Sequence, residues 1–181
     1  MNFIAGVDEV GRGCLAGPVI AAAVVLKTNI PGLADSKKLS KKKREELSLT
    51  IMQNSYFSFG SASVEEIDSI NILQASLLAM KRAILNLSVE PGKILVDGKH
   101  KPDLDIDTQT IIGGDSIVDE ISAASIIAKV YRDNLMMQFD KKYPDFYFSS
   151  HKGYGTRLHK AAIKKHGITP IHRKTFKGVI A

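Results

Sequence analysis

Phe3-Ile4-Ala5-Gly6-Val7-Asp8-Glu9-Val10-Gly11-Arg12-Gly13 sets an apolar run directly against two adjacent carboxylates and a glycine-bracketed arginine. The run reads as a buried strand, and the acidic pair falls where that strand is expected to end. Successive strand residues point to opposite faces, so Asp8 and Glu9 can share one ligand only if the backbone bends or lends a carbonyl. Gly11 and Gly13 offer that freedom, and Arg12 puts a guanidinium beside a strongly negative point. The combination suits a divalent cation next to a phosphodiester. An acidic pair followed by G-x-G is equally the makeup of an ordinary solvated turn, so the stretch has to be weighed with the rest of the chain.

Outward from this stretch, Val19–Leu26 is a second apolar run, and strand, glycine-rich turn, strand reads as a hairpin. Tyr56–Val64 supplies a third strand that completes an antiparallel meander. Between them Ser40 is placed to cap a helix whose buried side is Leu47, Ile51 and Met52. Lys41, Lys42, Lys43 and Arg44 crowd its first turn, after Lys37 and Lys38. Cations there oppose the helix dipole at a cost of roughly 0.3–1 kcal/mol each, which a docked anion would relieve. A solvated charged face accounts for them as well.

Asn71 with Gln74 resembles a capping box, and Leu73, Leu77, Met80, Ile84 and Leu87 follow at helical spacing until Pro91-Gly92. Lys93–Val96 then repeats the opening pattern, a short buried strand that ends on Asp97-Gly98. A strand at 108–112 leads to Gly113-Gly114-Asp115-Ser116, a further carboxylate at a strand-to-helix junction. Strands alternating with helices imply a parallel part of the sheet, where sites gather at strand C-terminal ends. The longest predicted helix, 118–142, carries an apolar stripe of Ile121, Ala124, Ala128, Tyr131 and Leu135. Its Ser122-Ala123-Ala124-Ser125 run is small enough for close approach to the sheet, while Lys129 and Arg132 read as solvated charges.

The C-terminal segment has its own character. Residues 141–181 hold ten Lys and Arg against the single acid Asp145, within a chain of 181 residues and net charge +6. An acidic body with a basic end fits a protein that collects cations at one point and polyanion around it. Phe146, Tyr147 and Phe148 interleave with the basic residues, and Thr156 is placed to cap a short helix ending near Gly167. His159 and His166 could share a face of that helix, and the stretch from Pro170 to Phe176 is expected to fold back on the body. A catalytic part at 1–145 and a basic helical part at 146–181 packed on it is the expected organisation.

Cys14 is the single cysteine, so the chain has no internal disulfide and no zinc-cysteine site. No run of eighteen apolar residues appears and no signal-peptide pattern opens the sequence, so the cytoplasm is the expected compartment. Asp8, Glu9, Asp97 and Asp115 each stand where a predicted strand gives way to a turn. Gathering them is costly unless divalent ions neutralise them, and all-oxygen ligation points to one or two Mg2+ or Mn2+ ions.

Six ordered motifs now add a resemblance. Gly6–Gly13, Asp35-Ser36-Lys37-Lys38-Leu39, Val96-Asp97-Gly98, Gly114-Asp115-Ser116, Ile121–Lys129 and His151-Lys152-Gly153-Tyr154-Gly155-Thr156 resemble those of the ribonuclease HII family, over nearly the whole chain. The resemblance implies an α/β fold: a ribonuclease H-like mixed five-stranded sheet flanked by helices, with a small C-terminal helical extension. It implies an endonuclease that cuts RNA in RNA-DNA hybrids and cleaves 5' of single ribonucleotides embedded in duplex DNA, leaving 3'-OH and 5'-phosphate ends, and acting as a monomer. Carried over by position, it makes Asp8, Glu9, Asp97 and Asp115 the catalytic set, with Asp8, Glu9 and Asp97 as direct metal ligands. Gly11, Arg12 and Gly13 would read the ribose 2'-OH, Tyr154 the following deoxyribose, and Lys37 and Lys38 the phosphates. Cys14 departs from the proline usual in the family. A histidine-based ribonuclease, a noncatalytic hybrid-binding module and a metal-dependent DNA nuclease of the same fold are the competing readings.

Overall fold

The computed structural model describes residues 3–33 and 39–180. Five strands form one sheet in the order β3-β2-β1-β4-β5. Strands β1 (Ile4–Val10), β2 (Val19–Leu26) and β3 (Ser55–Ala62) make the antiparallel meander. Strands β4 (Lys93–Asp97) and β5 (Thr108–Ile111) add to β1 in parallel, with Val7 opposite Val96 and Asp97 opposite Ile111. The sheet is therefore mixed and five-stranded, flanked by helices, as expected.

Helix α1 (Lys41–Gln53) starts at Ser40, whose hydroxyl accepts from the Lys43 amide, and its first turn holds no acid. Helix α2 (Val64–Leu85) differs from expectation. It begins earlier, in a complete Ser63/Glu66 capping box, and breaks at Asn71, whose φ is 68° and whose side chain accepts from the Leu73 and Gln74 amides. The sequence signal at Asn71 marks a restart within the helix. The first start was hidden because Val64 continues the apolar alternation of β3. Helix α3 (Asp119–Lys142) matches its expected bounds to within a residue.

Helix α2 covers one face of the sheet. There Val7, Val19, Ala21, Ile94 and Val96 pack on Ala75, Ala79, Met80 and Ala83. Helices α1 and α3 cover the other, where Ala22 and Val24 meet Ile51, Ala123, Ala124 and Ile127. Gly6 allows α3 to reach β1, because a Cβ there would lie 2.1 Å from the Glu120 carbonyl carbon. Further along α3 the buried stripe runs through Arg132 and Met136, while Tyr131 is exposed. Met136 joins Phe146, Phe148 and Ala162 in a third cluster that seats helices α4 (Phe148–His151) and α5 (Arg157–His166). Thr156 caps α5 by accepting from the His159 amide.

Candidate active site

The acidic pair lies inside β1 rather than at its end, since the ladder continues with Asp8 opposite Ala22, Glu9 opposite Ala21 and Val10 opposite Ile20. Pairing with β2 keeps the strand extended, so the two carboxylates leave opposite faces. Asp8 takes the face covered by α3, is buried, accepts from the Glu9 amide at 2.7 Å and is hydrogen-bonded to Ser125. Glu9 takes the α2 face and lines a cleft of about 90 Å³ with Arg12, Leu73, Ser76, Met80 and Asp97. Asp97, the last residue of β4, is close enough to both for its charge to act on Asp8 and its side chain to line the cleft with Glu9. The end of β4 therefore joins carboxylates that the strand pleat separates.

Burial pushes the Asp8 carboxyl well above the usual carboxylate range. The Glu9 charge raises it further, the Ser125 hydrogen bond lowers it, and Asp97 raises it again. Asp97 Oδ1 is buried and has no hydrogen-bond partner. Asp115 is also buried, in the 3-10 turn Gly114–Ser116, and accepts from the Ser116 hydroxyl at 3.4 Å. Gly114 backs onto Asp97: a Cβ there would sit 3.5 Å from Oδ1 and 2.6 Å from Ile121 Cδ1. Glu9 ion-pairs with Arg12 at 3.0 Å.

These features fit a divalent cation. The donors are hard oxygens, one buried oxygen is unsatisfied, and one carboxyl is held toward neutrality by burial and by the neighbouring Glu9 and Asp97 charges, a penalty that a cation would relieve. Among the described residues no three Asp, Glu, His or Cys side chains already converge as a ligand set. Like-charge repulsion explains the separation, with Asp8 folded onto its own strand and Glu9 drawn to Arg12.

Of the two glycines that bracket Arg12, Gly11 needs left-handed freedom, at φ 94°, and Gly13 does not. A Cβ at Gly13 would meet nothing within 4 Å, so this residue leaves the outer side of the turn open. Tyr154 is brought to the same turn by an isolated antiparallel bridge to Cys14, whose thiol donates to Lys152 O at 3.6 Å. Cys14 is buried. Lys37 and Lys38 lie outside the described residues.

Sequence reasoning missed three groups. Arg132 and Arg173, read as ordinary basic residues, are fully buried. His151, His159 and His172 form a buried cluster, while His166 is exposed, so α5 presents no histidine pair. His159 Nε2 lies 3.0 Å from His172 Nε2, and His151 stacks on His159 at 4.4 Å. Arg132 falls four residues after Ala128 and four before Met136, a spacing that could have revealed it. His172 joins the stacked His151–His159 pair from the tail.

Burial holds His159 and His172 each down to about 4. The unfolded chain, with histidines near 6.5, binds protons first as pH falls. Their stabilising contribution is thus fully present above pH 6.5 and is lost on descent toward pH 4, by about 3 kcal/mol for each. Urea titrations at pH 7 and 4.5 should show this loss, and His172→Gln should reduce the pH slope. An identical slope in the variant would remove the histidines from the account.

A mixed five-stranded sheet with acids from β1, β4 and the turn after β5 has the architecture of the ribonuclease H-like nucleases. The family model for Ribonuclease HII matches residues 5–179. Ribonuclease HII of Coxiella burnetii is 59% identical over 98% of this chain and 89% of its own. Ribonuclease H2 from Pyrococcus horikoshii superposes with a TM-score of 0.81 at 28% identity, covering 98% of this chain and 95% of that one. Bst-RNase HIII, solved in complex with Mn2+, shares the fold with a TM-score of 0.70 at 17% identity, over 98% of this chain and 68% of its own. The chain belongs to the ribonuclease HII family and is an endoribonuclease.

Proposed function

We propose that this enzyme hydrolyses RNA in RNA-DNA hybrids and cleaves on the 5' side of single ribonucleotides embedded in duplex DNA, with Mg2+ or Mn2+ as cofactor, in the cytoplasm. Asp97 carries the proposal: its unpartnered buried oxygen, beside Asp8 and Glu9, is a place built for positive charge. Asp8, Glu9 and Asp97 would hold the cation, with Asp115 completing the catalytic set from the adjoining turn. When bound, such an ion supplies Lewis-acid charge stabilisation for hydrolysis of a phosphodiester.

The chain's own residues supply position and selectivity. Gly13 leaves room for a ribose against the backbone of the turn, and the 2'-OH is what distinguishes RNA from DNA there. Tyr154, 41% exposed beside that turn, would pack on the next sugar, where a 2'-OH would crowd its ring. Lys37 and Lys38 would hold backbone phosphate, and residues 146–181 would form the basic part of the substrate surface on a catalytic part at 1–145.

The end groups separate this reading from histidine chemistry. After removal of metal with a chelator, an RNA-DNA hybrid should remain intact. Restoring Mg2+ or Mn2+ should give fragments with extendable 3'-OH and 5'-phosphate ends. Cleavage in chelator, or 2',3'-cyclic phosphate ends, would contradict the assignment.

A further inference from the structure

The turn that follows β1 rests on two buried cations. Arg173 Nη2 donates to Gly11 O at 2.7 Å and to Gly17 O at 2.8 Å, its Nη1 donates to Arg12 O at 2.8 Å, and its Nε donates to Gly17 O at 2.9 Å. Arg132 Nε donates to Pro18 O at 3.1 Å, Nη2 to Ala16 O at 3.0 Å and Nη1 to Lys152 O at 2.8 Å. Both are fully buried, and among the described residues neither forms an ion pair. A buried cation satisfied by backbone carbonyls alone is an expensive way to fill a core, because an apolar side chain avoids the desolvation. What the guanidiniums provide and an apolar group cannot is a direction for each carbonyl.

Direction matters because a trans peptide points its C=O and N–H opposite ways, and no described peptide is cis. With the Gly11 and Arg12 carbonyls drawn inward onto Arg173, the Arg12 and Gly13 amides point outward. Gly13 has no neighbour on its open side. Arg132 adds a second constraint. It lies beneath Gly11, where a Cβ would be 2.2 Å from its Nε, and it ties Ala16 and Pro18 to Lys152, two residues before Tyr154. Hydrogen bonds from Leu15 N to Gly153 O, and from Arg173 N to Leu15 O, continue the lacing.

We propose that Arg173 and Arg132 are positioning residues for ribonucleotide selectivity, Arg173 by presenting the Arg12 and Gly13 amides to the ribose and Arg132 by fixing the separation between that turn and Tyr154. The proposal rests on the assignment of this turn and Tyr154 to sugar recognition. Lysine keeps the charge but not the planar fork: its three donors sit on one nitrogen and cannot reproduce the four bonds that Arg173 makes from three. Arg173→Lys is expected to lower kcat on a one-ribonucleotide duplex by at least about tenfold, with duplex Kd changed less than about threefold. Arg132→Lys is expected to lower the ratio of one-ribonucleotide to hybrid cleavage by about tenfold or more. Parallel changes in Kd, kcat and melting temperature, with the ratio between substrates intact, would reduce both residues to structural roles and overturn the proposal.

Should the lysine variants fail to fold, amide exchange in the unaltered protein decides. The Arg12 and Gly13 amides should exchange rapidly when free and be protected on addition of the one-ribonucleotide duplex. Protection before substrate is added would overturn the proposal. Tyr154→Ala separates the two levels of inference. Unchanged junction cleavage in that variant defeats the sugar-recognition reading itself, whereas loss there with normal selectivity in both lysine variants defeats only the present proposal.

Discussion

Asp97→Asn is expected to fold as well as the unaltered chain, bind an RNA-DNA hybrid, and turn it over at least about 10³-fold more slowly, a barrier increase of about 4 kcal/mol. The amide is nearly isosteric, so the close approach of Gly114 to this side chain survives. The substitution removes one of the charges that hold the Asp8 carboxyl up, so the folded state loses a repulsion. It also removes the negative charge from the oxygen that has no internal partner. Stability and activity should therefore move apart: the melting temperature stays level or rises while single-turnover cleavage at saturating enzyme collapses. A variant that keeps wild-type cleavage in Mg2+ would sink the carboxylate site, and one that fails to fold would show that Asp97 is structural.

Gly6→Ala should act on the fold with comparable severity. The new Cβ would sit 2.1 Å from the Glu120 carbonyl carbon and 2.3 Å from the Ile121 nitrogen, so it meets helix backbone that cannot rotate away. Either α3 lifts from β1 or β1 bends from its neighbours, and both moves open the layer where Ala123, Ala124 and Ile127 pack on the sheet. Overpacking costs typically 1–3 kcal/mol when side chains can yield; with backbone on the far side, about 3 kcal/mol or more is expected. Urea denaturation with the midpoint as readout tests this. An unchanged midpoint would mean that the close approach of α3 does not constrain the fold.

The hairpin, the parallel pair and both helix caps at Ser40 and Thr156 were legible because each depends on local chemistry: alternation, apolar runs, and a hydroxyl placed before a helix. The bounds of β2 emerge as read, Val19–Leu26. Asp8 and Glu9 show where local reading stops. Their identity marked a site, but the position of the strand end depended on how far β2 pairs, which is a property of two segments together. Arg132 and Arg173 were opaque for a related reason. A buried cation is recognised by the carbonyls around it, and those of Gly11, Arg12 and Gly17 lie more than 150 residues from Arg173 in the chain. The histidine cluster likewise joins α4, α5 and the tail, so the pair sought within α5 was the wrong pair. Asp97 and Asp115 were legible as strand-end and turn residues, whereas Asp8 and Glu9 lie within β1, and only the fold shows that Asp97 both acts on Asp8 and lines the cleft of Glu9.

Selectivity for one ribose in a DNA duplex is the claim from which the proposed roles of the turn and Tyr154 follow. The most direct measurement uses an end-labelled DNA duplex with a single ribonucleotide, run on a sequencing gel beside the all-DNA duplex of the same sequence, each with and without Mg2+. The account predicts one product in Mg2+, cut on the 5' side of the ribonucleotide, and no cleavage of the all-DNA duplex or of either duplex without metal. Equal cutting of both duplexes, or a cut on the 3' side of the ribonucleotide, would contradict it.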